Sequence, residues 1–248
     1  MLPEPGLCFD ILGLQPVSPH GVFSTFSAES NPKQKYSFEL SAESSIDPDF
    51  FRYALKGSYG ISDSVELSIT IPYVHEFLDT IDGLEDIAFG VKHRIYDEGT
   101  YGPSIAYLIH GSLSTGREEL SSDGKLGVGL IISKRIPPFR GHFNALYARP
   151  GDSSLEDEII LSGGIELSIA HNVSMLGELH AKKGFYSDEY DQVEARLGYR
   201  IKTTDTIYTN IGLGFDLKNR SPEYRIIFSV GFVAPHEKKH LKKIYEEE

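Results

Sequence analysis

Two histidines four residues apart, His236 and His240, enclose a glutamate in "HEKKH" near the C-terminus. On a helix that spacing sets two imidazoles one turn apart with a carboxylate to activate water, the chemistry of a zinc peptidase. The surroundings oppose it. The motif follows the last strand-like segment by only a few residues, and "LKKIYEEE" after it supplies no packed helix and no third nitrogen ligand downstream. The tail from Val233 to Glu248 therefore reads as a charged, solvated extension, with no metal or cofactor expected. His75, His93 and His142, with serines around them, could serve a lipid-modifying hydrolase, but no nucleophile motif accompanies them. The single cysteine, Cys8, excludes an internal disulfide and a thiolate metal cage.

The remaining charged residues acquire meaning only through the elements that carry them. In "SVELSITIPYV", Val65, Leu67, Ile69, Ile71 and Tyr73 alternate with Glu66, Ser68 and Thr70; "YDQVEARLGYRI" and "EYRIIFSVGF" do the same. Successive side chains of a strand point to opposite faces, so each segment has one apolar and one polar face. Nine further segments follow this rhythm: Tyr36 to Glu43, Phe51 to Tyr59, Ile87 to Tyr96, Ser104 to Ser114, Leu126 to Ile136, Phe139 to Tyr147, Ile159 to Ile169, Val173 to Lys182 and Asp205 to Phe215. About ten residues apiece matches a tilted strand crossing a bilayer better than the usual ~5 to 6 of a soluble sheet.

Connections alternate in length: "GISDS", "PP", "AHN" and "KTT" are short, whereas "HEFLDTIDGLED", "TGREELSSDGK" and "RPGDSSLEDE" are long. Outer-membrane barrels have short periplasmic turns and longer outer loops. Aromatic residues fall at both ends of the strands, among them Tyr59, Phe139 and Tyr199 at one end and Phe51, Tyr147 and Tyr224 at the other. The expectation is an all-β, antiparallel up-and-down transmembrane barrel of about 12 strands in the bacterial outer membrane. It would span residues 36–232, with a charged tail at 233–248. Residues 1–35 would form a periplasmic lead-in, a lumen plug or an extra strand. The N-terminus has neither a positive start nor a long apolar core, so a signal peptide is absent or removed.

"YGISDSVELSITIPY", "GLEDIAFGVKHRI", "GPSIAYLIHGSLSTG" and "GKLGVGLIISKRI" resemble the bacterial barrel family named for transporters of the MetA pathway of phenol degradation. The resemblance is clearest from Tyr59 to Arg135. It implies an outer-membrane barrel that passes small solutes, hydrophobic or aromatic compounds included, and it supplies no catalytic or binding residues to carry over.

With polar faces inward, Arg52, Lys56, Glu66, Lys92, Arg94, Glu178, Glu194, Arg196, Arg200 and Arg225 line the lumen as selectivity candidates, with Glu39, Glu43, Asp86, His110, His180 and Lys182 beside them. Such charges either form a cross-strand ion network or a constriction with a transverse field. Twelve strands lie between barrels filled by side chains and open porins, which predicts a narrow or gated path. Glycines on the polar faces, Gly90, Gly127, Gly129, Gly163, Gly198, Gly212 and Gly231, make room inside or ease curvature. The net charge of −12 and the lack of a basic cluster argue against nucleic acid. Expected partners are outer-membrane lipid, lipopolysaccharide, a small solute and a periplasmic protein at either terminal segment. The competing functions are an outer-membrane hydrolase and a non-conducting assembly barrel.

Overall fold

In a computed structural model the described residues are 13–46, 49–77, 80–187, 190–218 and 224–235; the histidine pair of the tail lies outside them. Two short strands, β1 (Gly21–Val22) and β2 (Thr25–Phe26), form a small hairpin near the N-terminus. The wall comprises β3 (Tyr36–Ile46), β4 (Phe50–Gly60), β5 (Val65–Phe77), β6 (Ile81–Leu84), β7 (Ile87–Tyr96), β8 (Ser104–Leu113), β9 (Lys125–Ile136) and β10 (Phe139–Pro150). It continues through β11 (Glu158–Ala170), β12 (Val173–Gly184), β13 (Gln192–Lys202), β14 (Ile207–Asp216) and β15 (Tyr224–Val233). Every neighbouring pair is antiparallel, and β15 pairs with β3, so the sheet closes on itself. The strands β6 and β7 both pair with β5 and act as one stave, interrupted by an irregularity at Glu85 and Asp86. The result is a closed barrel of 12 staves.

Alternation runs through the wall as the sequence requires. Leu67, Ile69, Leu197 and Phe228 face outward with 40–59% of their surface exposed, while Glu66, Arg196 and Arg225 face inward with 2–3% exposed. Phe38 stacks on Phe232 at the short-turn end, 5.1 Å between centroids, and Phe215 meets Tyr224 edge-on at the long-loop end. Closure satisfies the strand edges, and the apolar outer face suits a lipid solvent. On β11 the inward glycine is Gly164 rather than Gly163: Gly164 faces Val22 and Thr25, whereas a Cβ on Gly163 would meet nothing within 4 Å. Between β10 and β12 the run "LSGGIEL" offers adjacent glycines, and only the pairing register assigns the face.

Two connections left outside the expected strands, residues 44–50 and 75–86, are largely strand. β3 and β4 extend until residues 47–49 remain between them, and most of 75–86 pairs as the β5–β6 hairpin. Backbone pairing continues beyond the apolar band, where alternation is no longer needed and the sequence signal stops.

Residues 13–31 lie inside the barrel, and 32–35 form the turn at its rim that leads into β3. The segment passes the rim at the short-turn end, where Gly60 lets the backbone approach so closely that a Cβ would sit 2.3 Å from the Pro32 carbonyl oxygen. It rises past Ser133 and Asn144, turns at the β1–β2 hairpin, returns toward Asn210 and Arg200, and climbs again to Leu14 and Gly13, beside Ser112 and Lys125 at the long-loop end.

Candidate functional site: a plugged, charged lumen

Inward positions differ around the lumen. On β7 to β10 they are mixed: an apolar cluster of Ala88, Ala106, Leu108, Ile131 and the half-buried Leu146 packs against Leu14, Phe26 and Ala28 of the inner segment, beside the polar Lys92, Ser133, His142 and Asn144. On the staves either side of the β15–β3 seam they are charged and paired. Lys56 meets Glu39 at 3.1 Å, and Arg52 meets Glu85 at 2.5 Å with its guanidinium 5.4 Å above the Phe50 ring. Arg196 makes a bidentate contact with Glu194 (2.8 and 2.9 Å) and a further bond to Glu178 at 3.1 Å. Arg225 lies 3.7 Å from both Glu194 and Glu43, and Arg200 3.1 Å from Glu166. Lys92 and Glu66 pair at 3.0 Å. Buried ions persist only when paired and hydrogen-bonded, and this wall provides both.

Of the selectivity candidates, Arg94 stands apart. It sits at the short-turn rim, bound to exposed Asp97 at 2.6 Å, while the others are buried in the lumen. The sequence reading missed Glu85, Lys125, Glu158, Glu166, Ser133 and Asn144. Glu158 bridges Lys125 and Lys182 at 2.6 and 2.7 Å. Glu85 occurs in an acidic stretch without alternation, and only the strand irregularity turns it inward.

The inner segment is held mainly through its backbone. Glu178 accepts the amides of Ser24 and Thr25 (3.0 and 2.8 Å), Glu39 that of Ser18 (2.9 Å) and Glu66 that of Asn31 (2.7 Å). Lys92 donates to the carbonyls of Ser27 and Glu29 (3.0 and 2.5 Å), and Arg200 to that of Gly21 (2.5 Å). Asn144 takes both sides of one residue, accepting from the Phe26 amide at 2.6 Å and donating to its carbonyl at 2.9 Å. Glycines make the space: a Cβ on Gly212 would meet the Phe23 ring at 2.5 Å, and one on Gly90 the Leu14 side chain at the same distance.

Ser133 and His142 touch, Oγ to Nδ1 at 2.8 Å, inside the lumen. The hydroxyl already accepts the Ala28 amide at 2.9 Å, and no carboxylate hydrogen-bonds the imidazole among the described residues. The pair anchors the segment and lacks the oriented base of a hydrolytic site.

At the long-loop end the 114–124 loop folds over the rim. Leu120 is fully buried against Phe50, Val74 and Phe77, and the Asp86 carboxylate gathers the loop. It accepts from Gly116 N, Ser121 Oγ, both N and Oγ of Ser122, and Gly124 N at 2.7–3.3 Å. Burial opposes ionisation of Asp86, but the bonds from Ser121, Ser122 and Gly116 outweigh it and hold the carboxyl below its ordinary range.

No family model matches the chain, and no curated protein matches it significantly. Solved structures do. An outer-membrane channel of the COG4313 group from Pseudomonas putida F1 superimposes with a TM-score of 0.66 at 14% identity, over 84% of this chain and 98% of that one. The KdgM porin gives 0.62 at 13%, over 81% and 99%, and the NanC porin 0.61 at 12%, over 81% and 100%. The fold is that of the porin-like outer-membrane barrels. At these identities the likeness concerns architecture alone.

Proposed function

We propose that this chain is a bacterial outer-membrane channel for small solutes, without enzymatic activity, closed at rest by its own N-terminal segment. The observation that carries the reading is how the lumen is filled. Eight-stranded barrels are filled by wall side chains. Here twelve staves enclose a wider lumen. A single segment occupies it, leaving cavities of ≈ 20 and ≈ 40 Å³ beside it and one of ≈ 230 Å³ at the short-turn rim, lined by Arg140 and Glu166. The described part of that segment, residues 13–35, joins the wall at Tyr36 and contributes no stave, so it can shift without unzipping one.

The short turns then face the periplasm, and the apolar girdle meets outer-membrane lipid and, on the outer leaflet, lipopolysaccharide. With the segment displaced, the path would present the apolar cluster of β7 to β10 opposite charged staves, which favours solutes carrying both an apolar and a polar part. The resemblance to the phenol-degradation transporters points the same way, toward small aromatic compounds. The test is solute uptake by proteoliposomes. Gly212→Val, which places a side chain where Phe23 sits, should admit small solutes such as arabinose and benzoate faster than the wild type. A folded variant that admits neither contradicts the channel reading.

A further inference from the structure

The wall meets the inner segment chiefly through groups that any peptide possesses. Six side chains, Glu39, Glu66, Lys92, Asn144, Glu178 and Arg200, bind backbone amides or carbonyls of the segment, Glu178 taking the Ser24 hydroxyl as well. Asn144 is the most telling, because its carboxamide pairs with both N–H and C=O of Phe26, as a neighbouring strand would. Side chains of the segment anchor it as well: Phe26 in the recess formed by Leu108 and Ile131, Phe23 over Gly212, Ser24 Oγ on Glu178 and Arg196, Ser18 Oγ on Asn210, Asn31 on Ser37 and Ser58, and Glu29 on Arg135 and Arg140. A plain plug needs only bulk; a wall that supplies acceptors to amides and cations to carbonyls is built for an extended polypeptide.

We infer that the lumen is a binding site for extended peptide, and that short oligopeptides are the solutes that replace the inner segment. Binding follows from the geometry of the wall; passage rests on the channel reading above. An oligopeptide combines apolar side chains with a dense row of donors and acceptors, so it satisfies the apolar cluster and the charged staves at once. The tethered segment competes at an effective concentration in the millimolar range, so a free peptide gains the site only when the tether's anchor is weakened.

Phe26→Ala weakens that anchor and leaves the six wall groups intact. A fluorescent synthetic peptide with the sequence of residues 13–31 should bind full-length Phe26→Ala protein saturably, and about tenfold or more tighter than the wild type. A peptide N-methylated at the residues matching Ser24, Thr25 and Phe26 keeps its side chains but loses the amide donors, and should bind at least about tenfold more weakly. Asn144→Leu, introduced beside Phe26→Ala, should weaken the unmodified peptide as well. Gly212→Val serves as the second background if Phe26→Ala does not fold. Absent saturable binding in both backgrounds, or equal affinity for the N-methylated peptide, overturns the inference. Uptake of arabinose without peptide binding would refute the peptide site and leave the channel standing. Peptide binding without uptake of any solute would do the reverse.

Discussion

Arg196 shows how much of the lumen hangs on single side chains. Its guanidinium joins Glu194 and Glu178 and also bonds Ser24 Oγ of the inner segment at 2.8 Å. Truncating one partner of a buried ion cluster leaves the others uncompensated, at a cost of about 3 to 5 kcal/mol. Arg196→Ala should therefore lower the urea midpoint of the refolded barrel substantially, whereas truncating rim-bound Arg94, whose partner Asp97 is largely exposed, should change it by less than about 1 kcal/mol. Equal effects of the two would contradict the burial difference. The alternating pattern made the inward position of Arg196 legible, because Leu197 and Ala195 flank it. Its partners were only partly legible: Glu194 and Glu178 lie on recognisable strands, but Ser24 is 172 residues away and belongs to a segment without periodicity.

At the scale of elements, the staves were readable because each inward–outward choice repeats along the strand, while the inner segment has no repeating face. Leu197→Arg, at an outward position near mid-wall, should cost about 2 to 4 kcal/mol in a bilayer, measured by reversible unfolding in lipid vesicles. A cost near zero would mean that this face does not meet hydrocarbon. The 114–124 loop is a separate element with its own condition of stability. Because its bonds hold the Asp86 pKa below the ordinary value in the folded state, their stabilisation is fully present above the ordinary carboxylate value of about 4 and is lost as the pH falls through the lower folded value. The tether should hold unchanged from neutrality to about pH 5 and release only in stronger acid. Asp86→Asn, with one acceptor oxygen in place of two, should release the loop at neutral pH, seen as faster protease cleavage after Arg117. Wild-type protection that already fails near pH 6 would argue against Asp86 as the tether. Sequence could not reveal this loop's path: "TGREELSSDGK" reads as a solvated acidic connection, and only the inward turn of Glu85 and Asp86 gives it an anchor.

For the molecule as a whole, the central claim is that one chain builds both a passage and the peptide that fills it. The deciding measurement is single-channel conductance in planar bilayers for three forms side by side. These are the wild type, Gly212→Val, and a Cys8→Ser protein with cysteines at 28 and 133, where the Ala28 amide meets Ser133 Oγ at 2.9 Å. The wild type should show rare, brief openings, Gly212→Val sustained conductance, and the cross-linked form silence until a reductant restores the wild-type behaviour. Identical traces from all three would show that the inner segment is no gate, and silence from all three folded proteins would show that the barrel is no channel.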